Sequence, residues 1–464
     1  MEEYSSKNRP VVSVIGMGYV GLCLSAGLSK FGTKVYCYDI DPTIIQALKN
    51  KETPIHEPKL PELLSKGLEQ KVLIPTNDIK TAIMKSTVTF ICVGTPCDET
   101  GYIDLSNIKN VSKVIGQILR DKDDYHVVSI KSTVIPGTTD THMIPLIEKY
   151  SGKRAGSDFG ACMTPEFLKE GAAIDDFLNP DKIVIGSYDK KSSDLMYKVW
   201  QDFWPSKIEK DIFVFCDLRT AEMIKYANNS FLATKISFIN ELANLAEIFG
   251  VDIKIVSKAI GMDKRISPYF LNAGLGFGGS CFPKDVKALY SAGKQAGYDP
   301  KLLNSVLEAN KVQPFRPYHI LKSVLKDLRG KRIAILGLSF KPNTDDVRSA
   351  PSLQITQKLL EENCFIQAYD PVATHNFKLA INAPDKDRID YFSTYEEALK
   401  DTDAAIFTTE WEEFYEIDVD TFKKQMKNPL IIDGRRIFDP NMFKGSGIIY
   451  YGIGFSKSTK FAPK

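Results

Sequence analysis

Val11-Val12-Ser13-Val14-Ile15-Gly16-Met17-Gly18-Tyr19-Val20-Gly21 decides the fold of this chain. The run up to Ile15 reads as a buried strand, and three glycines then follow at the spacing Gly-x-Gly-x-x-Gly before a helical pattern begins. Three glycines alone are a weak signal, because they arise by chance. The context gives them meaning: a strand precedes, a helix follows, and Asp39 closes the next strand 18 residues after Gly21. In such a unit the glycines serve a tight turn, close approach to a pyrophosphate, and packing of helix on strand. The helix N-terminus then faces the phosphates. Gly16, Gly18, Tyr19, Val20 and Gly21 are therefore expected to hold a dinucleotide. Asp39 is expected to accept hydrogen bonds from the adenosine ribose, and its charge repels a 2′-phosphate, which favours NAD over NADP. The other reading of these residues is a tight turn with no ligand.

Outward from this stretch, the first ~210 residues alternate apolar runs with helical patterns, as βαβ units do. Lys34–Tyr38, Val88–Val93 and Val127–Ile130 read as further parallel strands, and Ile183–Ile185 as a shorter one. Residues 220–249 carry neither Pro nor Gly, repeat apolar residues at helical spacing, and stop at Gly250. A helix of ~30 residues spans ~45 Å, which suits a connector between lobes and a subunit contact. A second βα series runs through Ile333–Leu336, Phe365–Tyr369, Ala404–Phe407 and Leu430–Ile432. The expected architecture is α/β: two Rossmann-like doubly wound lobes joined by a long central helix and a helical middle domain. Its expected divisions are 1–212, 213–315 and 316–464, with Phe455–Lys464 as a frayed tail.

Composition narrows the function classes. The 464 residues, 43% hydrophobic and 25% charged, are too many for one core and have a soluble globular make-up. A net charge of +2 offers no basic field for nucleic acid or membrane. No apolar run approaches 18 residues, and Met1-Glu2-Glu3-Tyr4-Ser5-Ser6 lacks the layout of a signal peptide. The eight cysteines and five histidines are scattered without metal-site spacing, so no metal is expected. Reduced thiols point to the cytoplasm.

Several short segments carry candidate chemistry. Val93-Gly94-Thr95-Pro96 and Ser132-Thr133-Val134 end predicted strands, where open sheets bind ligands. Thr95 and Thr133 can reach the nicotinamide half of the cofactor, or they can simply cap the helices that follow. Glu166 and Glu170 can share a site, or they can mark a solvated helix start. Lys225 and Asn229 lie four apart on the long helix, hence on one face. Together they can stabilise an oxyanion. A lysine that snorkels to water is the alternative for Lys225. The densest segment is Gly276-Phe277-Gly278-Gly279-Ser280-Cys281-Phe282-Pro283-Lys284-Asp285. It sets a cysteine at the end of a glycine-rich loop and a carboxylate four residues later, which suits covalent chemistry on a polar substrate.

In this order, Gly16–Gly21, Val93–Pro96, Ser132–Val134, Pro165–Leu168, Lys225–Asn229 and Gly276–Asp285 strongly resemble the UDP-glucose 6-dehydrogenases of the nucleotide-sugar 6-dehydrogenase superfamily. The resemblance runs over roughly residues 10–452. It implies two successive NAD-dependent oxidations of the sugar C6 alcohol, giving UDP-glucuronate. It also implies that Cys281 captures the C6 aldehyde as a thiohemiacetal and carries it on to a thioester. Lys225 and Asn229 are implied to stabilise the C6 oxygen anion, Asp285 with Thr133 to orient a water, and Glu166 to assist proton transfer. Glu170 and Arg348 are implied beside the cofactor. Glu166, Phe167, Leu168, Lys225, Asn229, Phe277, Gly278, Gly279, Lys341 and Arg435 are implied around the substrate, UDP-glucose. Arg265 is implied to reach a neighbouring subunit's site, making a homodimer or larger homo-oligomer. Phe270 and Phe277 can pack on sugar or uracil, with core packing as the alternative for each. Asn272 departs from relatives, which often carry a basic residue there.

Three other readings compete. GDP-mannose and UDP-N-acetylaminosugar 6-dehydrogenases share the motifs. A non-catalytic nucleotide-sugar sensor can use the same scaffold, since fold does not fix function. A two-electron hydroxyacid dehydrogenase predicts one NADH per substrate where the four-electron reading predicts two.

Overall fold

The computed structural model describes residues 9–201, 203–204, 212–382 and 386–455. The opening Met1–Ser6 and residues 456–464 of the expected tail lie outside the described residues. The chain divides into two compact units, one reaching to Asn228 and the other starting at Asn229. This boundary falls inside a single 32-residue helix, Leu218–Phe249.

The first unit is built on β1 (Val12–Ile15), β2 (Val35–Tyr38), β3 (Leu73–Pro75), β4 (Val88–Ile91), β5 (His126–Ile130), β6 (Phe159–Met163), β7 (Ile183–Ser187) and β8 (Phe213–Cys216). They lie in the order β3-β2-β1-β4-β5-β6-β7-β8. Strands β3 through β6 pair in parallel. The expected run of parallel strands breaks at β7, which joins β6 antiparallel before β8 pairs with it in parallel. The strands read as near-continuous apolar runs because both sheet faces are covered. Val12 and Val14 of β1, with Val88 and Phe90 of β4, enter a core that holds Leu22 and Trp200. Ile15 and Ile91 face the other way, onto Ile115, Met143 and Ile147. Strand order reverses between β1 and β4, and the crevice at such a reversal is where doubly wound sheets bind ligands.

The second unit carries β9 (Arg332–Leu336), β10 (Phe365–Tyr369), β11 (Ile389–Tyr391), β12 (Ala404–Phe407), β13 (Leu430–Asp433) and β14 (Ile449–Gly452). They lie parallel in the order β11-β10-β9-β12-β13-β14. Ile333 and Ile335 pack with Ile355 and Leu359, while Ala334 and Leu336 pack with Phe407 and Phe414, the alternation of a sheet covered on both sides. Along the chain, the helices Ile253–Gly261, Phe282–Gln295, Lys301–Val312 and Arg316–Leu325 come between the long helix and this sheet. Two sheets, the second wholly parallel and the first parallel except where β7 meets β6, with a helical middle region, thus match the expected fold class. Among the described residues no helix is long and apolar enough to cross a membrane, and no group of three or more His, Cys, Asp or Glu side chains is placed to hold a metal ion.

Candidate active site

The loop after β1 has the shape that a dinucleotide needs. Gly16 sits at φ 95°, and a Cβ there would come within 2.8 Å of the Cys92 carbonyl oxygen. A Cβ on Gly21 would collide with the Gly16 carbonyl oxygen. At Gly18, by contrast, a Cβ would meet nothing within 4 Å, which leaves open space beside the first turn of the helix Tyr19–Lys30. An anion is favoured at such a helix start. Asp39 accepts the Met17 N–H at 2.6 Å on one oxygen and the Asp41 N–H at 2.9 Å on the other. Each oxygen keeps a second lone pair for a ribose hydroxyl. These residues fit NAD. Asp39 also holds the glycine loop itself, a task that its sequence position does not reveal.

The Tyr19 hydroxyl donates to Glu57. Burial, followed by this bond, pushes the phenol well up and keeps it neutral. Buried Glu57 also accepts the N–H groups of Gly171 at 2.6 Å and Ala173 at 2.7 Å, so it ties the segment after half-buried Glu170 to the first helix. The loops that follow β4 and β5 are tied to each other. Thr95 Oγ1 donates to the Thr133 carbonyl at 2.9 Å, and Ser132 Oγ donates to the Val93 carbonyl at 2.6 Å.

Glu166 follows β6 and is 8% exposed. Lys225 Nζ donates to its Oε1 at 2.8 Å, and the Leu168 N–H to its Oε2 at 2.6 Å. Burial opposes the charge on Glu166, but Lys225, the Leu168 N–H and Lys131 together hold the carboxyl below its usual range. The pair is buried on both sides, so Lys225 does not snorkel to water. Two ammonium groups lie near the Phe167 ring, Lys182 Nζ 4.2 Å and Lys225 Nζ 5.5 Å from its centre. Lys131, which the sequence reading passed over, donates to the Pro165 carbonyl at 3.3 Å, and burial lowers it to about 8. Its one sequence signal is its place next to Ser132-Thr133.

In the second unit the stretch from Gly274 to Cys281 is held by side chains. Asn240 accepts the Gly274 N–H at 2.7 Å, and Gln313 donates to the Gly274 carbonyl at 2.7 Å. Asn310 both accepts the Phe277 N–H at 2.8 Å and donates to the Phe277 carbonyl at 2.9 Å. The Gly279 N–H is spent on the Arg348 carbonyl at 2.8 Å. A Cβ on Gly278 would press on the Ser349 carbonyl, and one on Gly279 would lie 2.8 Å from the Phe340 ring. These two glycines therefore serve close packing within the chain. Phe277 is buried with Ala233, Val286 and Val306, a core position. Phe270 is half-buried, its ring centre 6.2 Å from that of Phe282.

Cys281 emerges exposed as the N-cap of the helix Phe282–Gln295. Negative charge is favoured at that end of a helix. One turn on, buried Asp285 accepts from Asn229 Nδ2 at 2.7 Å and from Lys284 Nζ at 2.6 Å. Lys284 thus neutralises Asp285. At the ends of β9, β12 and β13, Lys341 Nζ lies 5.3 Å from the Phe340 ring centre, while Arg435 Nε donates to the Thr408 carbonyl at 2.8 Å. Buried Asp433, its carboxyl pushed up by burial, steadies that loop through the N–H groups of Arg435 and Phe438 and the Tyr450 hydroxyl. Arg265 and Arg348 are exposed, each on a carboxylate two residues earlier at 2.6 Å, Asp263 and Asp346.

The chain matches known proteins over most of its length. Residues 11–204 match the NAD binding domain of the UDP-glucose/GDP-mannose dehydrogenase family, residues 219–312 its central domain, and residues 334–440 its UDP binding domain. The chain is 43% identical over 429 residues to UDP-glucose 6-dehydrogenase AglM of Haloferax volcanii, covering 92% of this chain and 96% of that protein. It is 41% identical over 443 residues to UDP-glucose 6-dehydrogenase TuaD of Bacillus subtilis, covering 96% and 93%. Its fold is similar to a UDP-glucose dehydrogenase from the archaeon Pyrobaculum islandicum, with a TM-score of 0.88 and 33% identity over 98% of this chain and 100% of that one. The glycine loop, the buried Glu166–Lys225 pair and the exposed helix-capping cysteine thus sit in a member of the UDP-glucose/GDP-mannose dehydrogenase family, an NAD-dependent oxidoreductase.

Proposed function

We propose that this enzyme oxidises UDP-glucose twice at C6, to UDP-glucuronate, through a covalent adduct on Cys281. The observation that carries the reading is the exposed thiol at a helix start, one turn before a buried carboxylate that is hydrogen-bonded to Asn229. Gly16–Gly21 and Asp39, with Thr95, Glu170 and Arg348, would hold NAD, which would supply the hydride acceptor for each oxidation of the sugar carbon. Lys225 and Asn229 donate to the C6 oxygen as it becomes anionic. The Cys281 sulfur adds to the aldehyde carbon, so the half-oxidised sugar stays bound as a thiohemiacetal. After the second oxidation the adduct is a thioester, and a water oriented by Asp285 and Thr133 breaks the carbon–sulfur bond. Glu166 moves the accompanying proton. Four electrons leave one sugar, so two NAD are reduced and one water is consumed.

Phe167, Leu168, Phe270, Phe277, Gly278 and Gly279 shape the sugar's surroundings in this reading, while Lys341 and Arg435 take the nucleotide. A homodimer or larger assembly, with Arg265 serving a neighbouring copy, agrees with the apolar surface of the second unit: Phe231 is 66% exposed and Ile255 70%. None of the eight cysteines is in a disulfide, which fits the cytoplasm. The test is stoichiometry. Two NADH per UDP-glucose are expected, with UDP-glucose turned over faster than GDP-mannose or UDP-N-acetylmannosamine. Cys281→Ala should bind sugar and NAD yet form no acid. Sustained glucuronate from that variant, or a one-to-one NADH ratio in the parent, overturns the covalent route.

A further inference from the structure

We propose that Glu222 is a positioning residue, whose carboxylate fixes the loop carrying Thr133 to the helix carrying Lys225. This role rests on the reaction proposed above. Glu222 lies three residues before Lys225 and is fully buried. Its Oε2 accepts the Gly137 N–H at 2.5 Å, while its Oε1 accepts the Thr139 N–H at 2.8 Å and the Thr139 hydroxyl at 2.6 Å. Gly137 and Thr139 begin the helical segment after the Thr133 loop, where backbone N–H groups lack partners of their own. The other end of the loop is tied by Thr95 Oγ1 to the Thr133 carbonyl and by Ser132 Oγ to the Val93 carbonyl. Thr133 therefore stands between two anchors, and one of them is a side chain of the helix that holds Lys225 against Glu166.

An acid this buried would be replaceable by an apolar residue if it only filled space. Its three donors all come from the Thr133 segment, and a carboxylate satisfies three donors where an amide cannot. Burial pushes the Glu222 carboxyl up to about 6, with Asp140 adding to the rise and the Thr139 and Gly137 bonds opposing it. Asp140 is the charged group facing Glu222 from the capped segment, and Arg219 Nε meets Asp140 at 2.7 Å. Because the folded value is raised, the stability gained from Glu222's proton is full below the ordinary carboxylate range. It is lost as pH rises through about 6. The ionised clamp therefore exists above about 6 at some expense to the fold, and the geometry it sets is what the fold receives in return.

Glu222→Gln tests this, since it is nearly isosteric but turns one amide nitrogen toward an N–H donor. Two readouts are needed: deuterium exchange of the peptide spanning 132–141, which requires no substrate, and kcat against KM for NAD and sugar. Faster exchange, a kcat lowered on the order of tenfold to a hundredfold, and KM for NAD within about threefold are expected. Thr139→Val, which removes only the hydroxyl donor, should give a smaller loss of kcat. The parent's kcat should fall as pH drops through about 6, and Glu222→Gln should lack that limb. Unchanged exchange in Glu222→Gln overturns the clamp whatever the activity. Faster exchange with kcat within twofold of the parent overturns the positioning role. Parent protein that reduces no NAD with UDP-glucose, GDP-mannose or UDP-N-acetylmannosamine overturns the reaction and the role within it, while the exchange difference still registers the clamp.

Discussion

At the scale of single residues, the Glu166–Lys225 pair is where burial and charge oppose each other most plainly. Two ions have left water, and their 2.8 Å contact and the Leu168 N–H compensate. Removing one ion leaves the other buried and uncompensated. Lys225→Met should destabilise the first unit by about 3–5 kcal/mol. Glu166→Gln/Lys225→Met should cost much less, because no charge is stranded. The sign of the pH effect follows from the same pair. In the parent the folded Glu166 value is depressed, so its contribution is present above the ordinary carboxylate range and fades as pH falls through the folded value. In Lys225→Met the upward pull of burial is left in control, so stability should instead rise as pH falls from the raised folded value toward the ordinary carboxylate range, and be full below it. Denaturant unfolding of the parent, Glu166→Gln, Lys225→Met and the double variant across pH closes the cycle. A double variant as unstable as Lys225→Met would show that packing, and not the stranded charge, sets the cost.

At the scale of elements, the long helix has two faces of different character. Ile239 and Ala243 are fully buried in the second unit's core, whereas Phe231 is 66%, Phe238 53% and Leu245 41% exposed. Those three exposed residues recur every seven positions, the spacing of a helical seam that meets another helix. Ile248, Phe249 and Ile255 extend the apolar surface. Phe231→Glu with Phe238→Glu should convert an oligomer to monomer in sedimentation at unchanged helical circular dichroism. An unchanged sedimentation coefficient would rule this face out as a subunit contact. The helix was legible in the sequence because nothing in 220–249 breaks it, and β10 and β12 fall at the positions their apolar runs suggest. Strands β3 and β11 were not, since three residues such as Ile389-Asp390-Tyr391 carry no periodicity. Edge strand β8 leaves Val214 and Phe215 exposed, so its pattern is not that of a covered strand. The glycine loop and the Cys281 segment were legible because their chemistry is contiguous. Glu57, Lys131, Glu222 and Asn310 were not, because each acts on backbone far along the chain, as Glu222 does on Gly137.

At the scale of the whole molecule, the chain builds the same parallel sheet core twice but prepares only one for a dinucleotide. Both sheets carry a glycine after their first strand, Gly16 and Gly337, and an aspartate after their second, Asp39 and Asp370. Asp39 is half-buried and holds two backbone N–H groups, one per oxygen. Asp370 is 4% exposed and takes six hydrogen bonds: the N–H groups of Leu338, Ser339, Val372 and Ala373, the Ser339 hydroxyl and the Trp411 indole. Two carboxylate oxygens offer about four lone-pair sites, so Asp370 has none left for a ribose. Position along the chain is alike in the two, and saturation distinguishes a binding carboxylate from a structural one. Calorimetric titration should therefore find one NAD per chain. Asp39→Asn should weaken NAD binding and narrow the preference over NADP, the first effect arising in part from loss of the bond to Met17. Asp370→Asn should leave NAD affinity unchanged while lowering unfolding stability by about 1.5–3 kcal/mol, the worth of hydrogen bonds to a buried charge. A second NAD per chain, or an NAD affinity that follows Asp370 and ignores Asp39, would reverse the assignment of the two sheets.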